Sequence, residues 1–375
     1  MKSIKNCVLA MGIGALASFS VPSIAAEDIV IGAAGPLSGA QAFFGTTWHN
    51  GAKLYFDTVV NPKGGIKGRQ VKIQQMDDKA DPREGTTIAQ HFCDEGDILA
   101  IIGHLNSGVT IPTMDIYSGC DLPQITVSSS PQVTELGYKN IFQPTPNDFA
   151  QGRIGARYAY EQLAARKAAV VNDKQAFGQG VSEKFAETFQ QMGGSITSLS
   201  GLNATDMDFS STITALKQQQ PDVIYLGFVM PQLALFAKQA QELGLTAKLI
   251  MPDGGYTDEL MKLGGNGAEG ALVSFQAPPY DSSPELRELR ALYSKTFNSD
   301  PGPQTVYGWV QAQILANAMQ NADELSRTAI LEELRKTDLD TALGHIKFDD
   351  KGGISSGGLY LYQVEGGKFK LVSND

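Results

Sequence analysis

Short apolar runs rich in β-formers alternate with amphipathic helical stretches through most of this chain, and that alternation limits its fold more than any other feature. Residues 29–32, 71–76, 98–102 and 122–127 read as strands, with helical stretches at 45–60, 86–92 and 109–118 between them. After the break Pro144-Thr145-Pro146-Asn147-Asp148 the pattern restarts, with strands at 168–171, 195–199, 223–228 and 248–251 and helices at 151–163, 181–192, 209–218 and 232–243. Parallel strands need crossover connections, so each series implies a parallel sheet with helices on both faces. The two lobes are expected to be alike in architecture, although no sequence repeat is visible. Beyond residue 277 the pattern changes to helices at 284–297, 305–321 and 329–336 and a β-rich tail at 346–372. The Gly-rich turns of that tail suit strands that cross between lobes. Two rigid lobes joined by several segments can close on a ligand.

The N-terminus stands outside this pattern. Lys2 and Lys5 precede an apolar stretch from Cys7 to Val21, and Ala25-Ala26 lead to Glu27-Asp28. That is the three-part pattern of a secretory signal peptide, so residues 1–26 are expected to be removed on export. The stretch is too short for a membrane anchor and lacks a stop-transfer flank. Cleavage leaves Cys93 and Cys120, an even number in an oxidising compartment. Each closes a helical stretch, and the ends of consecutive helices on one sheet face can come within bridging distance. The pair reads as a disulfide, which would stabilise the fold by about 3–4 kcal/mol, or as two separate buried thiols.

Charge and motifs exclude several functions. There are 30 Lys plus Arg against 40 Asp plus Glu, a net charge of −10 with no basic block. Neither nucleic acid nor an anionic membrane surface is expected as a partner. The histidines, at 49, 91, 104 and 345, form no metal-binding spacing with each other or with the cysteines. No metal or cofactor is expected. GxSxG, the P-loop and a GxGxxG at a strand–helix junction are all missing, so the chain reads as a non-enzyme. The acidic groups Asp77-Asp78 with Asp81, and Asp349-Asp350, read as exposed turns after strands and lack the spacing of a calcium loop.

In open parallel sheets ligands bind beyond the carboxyl ends of the strands, where helix N-termini present free amides. After 98–102 comes Gly103-His104-Leu105-Asn106-Ser107-Gly108, which places Ser107 near a helix N-cap. Its hydroxyl and the neighbouring amides could hold a carboxylate, or Ser107 could be a plain cap. After 122–127 come three hydroxyls, Ser128, Ser129 and Ser130, before Pro131. In the second series Phe177 either points into the gap between lobes or staples the next helix. Asp253, after 248–251, could receive an ammonium group or serve as a turn residue. A carboxylate pocket on one lobe and an ammonium receptor on the other suit a zwitterionic amino acid.

At these residues the chain resembles the periplasmic binding proteins for branched-chain amino acids, the leucine/isoleucine/valine type. The likeness runs over 27–375 and is carried jointly by IGAAGPLSG at 31–39, NPKGGIKG at 61–68, DDKADP at 77–82, IGHLNS at 102–107, DKQAFGQG at 173–180, DMDFSS at 206–211 and AEGALV at 268–273. It implies a two-lobed type I clamshell with three hinge crossovers. The N-terminal lobe would be 27–147 plus 277–356, and the C-terminal lobe 148–276 plus 357–375. It also implies a monomer in the periplasm whose partner is the membrane permease of an ABC importer. By this resemblance the carboxylate falls to Ser107 with the segment Ser128, Ser129 and Ser130. The ammonium falls to Asp253, and Phe177 and Phe44 line the cleft as aromatics. The sequence departs from the pattern at Ala80 and Asn106, where the leucine type carries a cysteine pair. It departs again near Phe228-Val229, where a tyrosine is usual, and at Asp253, where glutamate is usual. These changes bear on the ligand's side chain. The rival readings are a receptor for an aromatic or other small carboxylic acid or amide, and a secreted hydrolase. An unpaired buried Asp253 argues against the first, and the missing motifs argue against the second.

Overall fold

A computed structural model describes residues 27–354 and 357–374, so the expected signal peptide lies outside the described residues. Five parallel strands form the first sheet: β1 (Ile29–Gly35), β2 (Val71–Asp77), β3 (Ile98–Gly103), β4 (Gln124–Ile125) and β5 (Ile141–Phe142), in the order β2-β1-β3-β4-β5. The second sheet begins with five more parallel strands, β6 (Lys167–Asn172), β7 (Ser195–Gly201), β8 (Val223–Gly227), β9 (Lys248–Met251) and β10 (Leu272–Phe275). A two-stranded ribbon of β11 (Asp338–Thr341) and β12 (Gly344–Lys347) stands apart. The antiparallel pair β13 (Tyr360–Glu365) and β14 (Lys368–Asn374) then extends the second sheet to β14-β13-β10-β9-β8-β6-β7.

The helices fill the crossovers. They are α1 (Ala42–Tyr55), α2 (Pro82–Asp94), α3 (Ser107–Gly119) and the short α4 (Gln132–Glu135) in the first series, and α5 (Asp148–Glu161), α6 (Ala176–Gln191), α7 (Ser210–Gln219), α8 (Gln232–Glu242) and α9 (Asp258–Gly264) in the second. Three more, α10 (Pro284–Phe297), α11 (Thr305–Asn321) and α12 (Arg327–Arg335), return to the first sheet. Their buried Leu286, Leu289, Val310, Ile314 and Ile330 share one core with Ile29, Ile31 and Ile102 of β1 and β3. The chain therefore passes between the two sheets three times: after β5, after β10 and before β13. This is a two-lobed α/β clamshell.

Helix α1 packs on α11 at a distance only glycine permits. A Cβ on Gly51 would meet the Thr305 carbonyl oxygen at 2.0 Å, and one on Gly308 would meet the Trp48 carbonyl oxygen at 1.9 Å. The indole of Trp48, buried in the same seam, donates to Gln311 at 2.6 Å. On the opposite face of the first sheet, Ile88, Phe92, Tyr117 and Leu122 form a smaller core. There the structure joins Cys93, on α2, to Cys120, the residue that ends α3, with their Cα atoms 5.8 Å apart. The Arg327 guanidinium seals that corner by donating to the carbonyls of Phe92, Glu95, Ile98 and Cys120.

Candidate ligand-binding cleft

The carboxyl ends of β1, β3 and β4 face those of β6, β8 and β9 across a cavity of about 380 Å³. Pockets of this size suit small molecules, and most such sites combine apolar walls with a few placed polar groups. The apolar walls here are Phe44, Leu105, Val127, Phe177, Met207 and Val229. Phe44 reaches over from α1 to join the core of the second lobe, where it is only 5% exposed. Leu105 packs against the cores of both lobes.

Ser107 is the first residue of α3 and is buried, with Gly108 and Val109 beside it on the cavity wall. Its oxygen accepts from the Ser128 hydroxyl at 3.0 Å, which leaves its own proton free to donate. The serine run divides between the cavity wall and the loop behind it. Val127 and Ser129 line the cavity, whereas Ser128 turns back to Ser107 and Ser130 accepts from the Gln132 amide in its own turn. Ser128 and Ser130 therefore lie behind the wall.

A buried network holds these loops. His104, fully inaccessible, bonds Asp78 through Nδ1 at 2.7 Å and the Tyr117 hydroxyl through Nε2 at 3.1 Å. The His104 carbonyl accepts from Thr126 at 2.6 Å, and the Thr126 hydroxyl accepts from the Ser128 amide at 2.9 Å. Asp78 also accepts from the Ala80 amide at 2.9 Å. Thus the loops after β2, β3 and β4 hang on one set of buried side chains. The expectation that Asp78 sits in an exposed turn is corrected: it is completely buried, because His104 supplies the partner a buried carboxylate needs. Asp81 does sit in a turn, capping α2 through the Arg83 and Glu84 amides. Nearby His49 is buried without a hydrogen-bond partner, and burial lowers its pKa to about 4.

On the second lobe Asp253 follows β9 and lines the cavity with Gly254. Its amide donates to Gln151 at 3.0 Å, and Gln151 also accepts from Ser274 at 3.0 Å. Loss of solvent raises the Asp253 pKa to about 6, while Gln276, Gln151 and the Gly254 amide pull it the other way. The residue is half-buried and lines the cavity. Burial holds the carboxyl of Asp148, wholly buried at the start of α5, well above the usual carboxylate range; Ser129 opposes the shift and the charge of Asp253 adds to it. Phe177 sits in the first turn of α6 and lines the cavity.

The cleft also holds residues that the sequence reading passed over. Gln276 follows β10, and Tyr307, at the start of α11, donates to it at 3.3 Å. A strand assignment at 272–275 would have exposed Gln276 as a post-strand residue. Gln41, Asn106, Gln175, Gln232 and Gln304 add amide groups to the wall.

The comparisons decide the family. The periplasmic binding protein model matches residues 28–368. This chain belongs to the periplasmic binding protein family. It is a binding protein and not an enzyme. A Leu/Ile/Val-binding protein homologue of Brucella abortus is 30% identical over 358 residues, 95% of each chain. Among solved structures, a leucine-binding protein from Thermotoga maritima superposes with a TM-score of 0.86 at 26% identity, covering 92% of this chain and 98% of its own. A solute-binding protein of R. palustris in complex with benzoate reaches a TM-score of 0.83 at 19% identity, covering 92% and 96%, and shares the fold.

Proposed function

We propose that this protein is the solute-binding component of an ABC importer and captures an α-amino acid, branched-chain or related, between its lobes. The observation that carries the reading is the pairing of opposite chemistries on one cavity: Ser107 and the first amides of α3 on one side, Asp253 on the other. The serine and amides hold the carboxylate, and Asp253 takes the ammonium. Closure desolvates both charged groups, and each then needs its partner. The names of the Brucella and Thermotoga relatives support an aliphatic amino acid. Under this reading the exported protein works in the periplasm as a monomer. Its lobes are 27–147 plus 277–356 and 148–276 plus 357–375, and a membrane permease receives the ligand.

A second reading, an aromatic carboxylic acid, is favoured by Phe44 and Phe177 on the wall and by the benzoate complex of the R. palustris protein. Asp253 separates the two. Asp253→Asn is expected to weaken amino-acid binding by about 2–5 kcal/mol, as for one truncated partner of a buried charge pair. Titration calorimetry of both proteins with an amino acid and its deaminated acid tests this. If wild type prefers the deaminated acid, the second reading replaces the first.

A further inference from the structure

Asn106 occupies the N-cap position of α3 with extended backbone, φ −84° and ψ 134°. Asparagine there ordinarily turns its side-chain oxygen onto the amides of the first turn. This one makes no such bond. Its backbone carbonyl instead accepts from the Val109 and Thr110 amides, both at 2.9 Å, so those two amides are satisfied without the side chain. The freed Nδ2 donates to Gln41 at 2.8 Å, across to the start of α1. The other terminal atom, Oδ1, is buried and has no hydrogen-bond partner. Both residues line the cavity beside Ser107.

A buried amide atom left unpaired in a binding cavity carries a desolvation penalty that a ligand group can remove. We propose that Asn106, steadied by Gln41, reads a hydroxyl or carboxamide on the side chain of the bound amino acid. The inference rests on the amino-acid reading of the cleft. It does not depend on how the two amides are turned. If both are flipped, Gln41 donates to Asn106 Oδ1 and the unpaired atom becomes Nδ2. A hydroxyl or a carboxamide can donate to the one or accept from the other. An aliphatic branch can do neither. Hydrogen-bonding sites discriminate sharply against isosteres that lack the polar group, whereas an apolar pocket separates such pairs by only about 100-fold in the opposite sense. Asn106, one of the residues that depart from the leucine-type pattern, thus contributes to side-chain preference.

The test uses two isosteric pairs, threonine with valine and asparagine with leucine, titrated calorimetrically into the full wild-type chain and into Asn106→Leu. In wild type the polar member of at least one pair is expected to bind tighter. In Asn106→Leu the polar-to-apolar affinity ratio for that pair is expected to fall at least tenfold. A melting curve without ligand shows whether the variant is folded, and Asn106→Val serves in its place if it is not. Tighter binding of the apolar member in both pairs, with ratios changed less than threefold by the substitution, overturns the subsite and leaves the amino-acid reading standing. No binding of any of the four, or of any other α-amino acid, overturns that reading and the subsite with it.

Discussion

Under the amino-acid reading, Asp253 is expected to set the pH response of the cleft. With the lobes closed and no ligand bound, its pKa is raised to about 6, chiefly by burial. An ammonium partner favours the charged form, so binding lowers that pKa and releases a proton when the ligand binds near or below pH 6. Affinity is therefore expected to be flat above about pH 7 and to fall by up to about tenfold per pH unit below pH 6. Calorimetry between pH 4.5 and 8 checks this, and Asp253→Asn should flatten the profile. A wild-type affinity that rises as pH falls through 6 would contradict an ammonium on Asp253. Position after a strand was enough to single out Asp253, Ser107 and Phe177 in the sequence. Ser128, Ser129 and Ser130 could not be separated that way. All three are serines in one run beyond β4, and only the place of Ser129 on the cavity wall, with Val127, distinguishes it from its neighbours. Asn106 was visible as a departure, but its role depends on a side-chain turn away from its own helix.

Among elements, legibility followed length. The long crossover helices and strands β1, β2, β3, β6, β8 and β9 stood out because several residues repeat one period. The pair β5 (Ile141–Phe142) is too short to show a period, β4 (Gln124–Ile125) is shorter than the strand expected at 122–127, and β10 (Leu272–Phe275) hides behind the turn glycines Gly265, Gly267 and Gly270. The loops after β2, β3 and β4 take their positions from contacts distant in sequence, above all Asp78 with His104. This network is expected to act through the elements it joins. His104→Phe keeps an aromatic ring in the site but leaves the Asp78 carboxylate and Tyr117 hydroxyl buried without their partner. A loss of about 3–5 kcal/mol in folding stability is expected, as for a broken buried pair. Urea unfolding of the unliganded proteins measures it. A change under 1 kcal/mol would mean that Asp78 finds another donor and that the loops do not depend on the histidine.

At the scale of the whole molecule, Phe44 is a side chain of the first lobe that reaches into the core of the second, where it is buried. It belongs to α1, yet it packs among Phe228, Met230 and Leu233 of the second lobe. In a clamshell that opens when empty, this contact forms only on closure. Its burial then contributes to ligand affinity and little to the stability of the unliganded chain. A buried phenylalanine ring is worth about 1.5–3 kcal/mol relative to an exposed one. Phe44→Ala is therefore expected to weaken binding by about that amount, roughly 10- to 150-fold at RT of about 0.6 kcal/mol. The unliganded melting temperature should shift by less than about 2 °C, small against the 2–4 °C per kcal/mol typical of larger domains. Calorimetry and thermal melts on the same preparations separate the two effects. If the unliganded protein loses as much free energy as the complex, the lobes are already closed without ligand. Capture would then depend on a route into the cavity other than lobe opening, and Phe44 would count as an ordinary core residue.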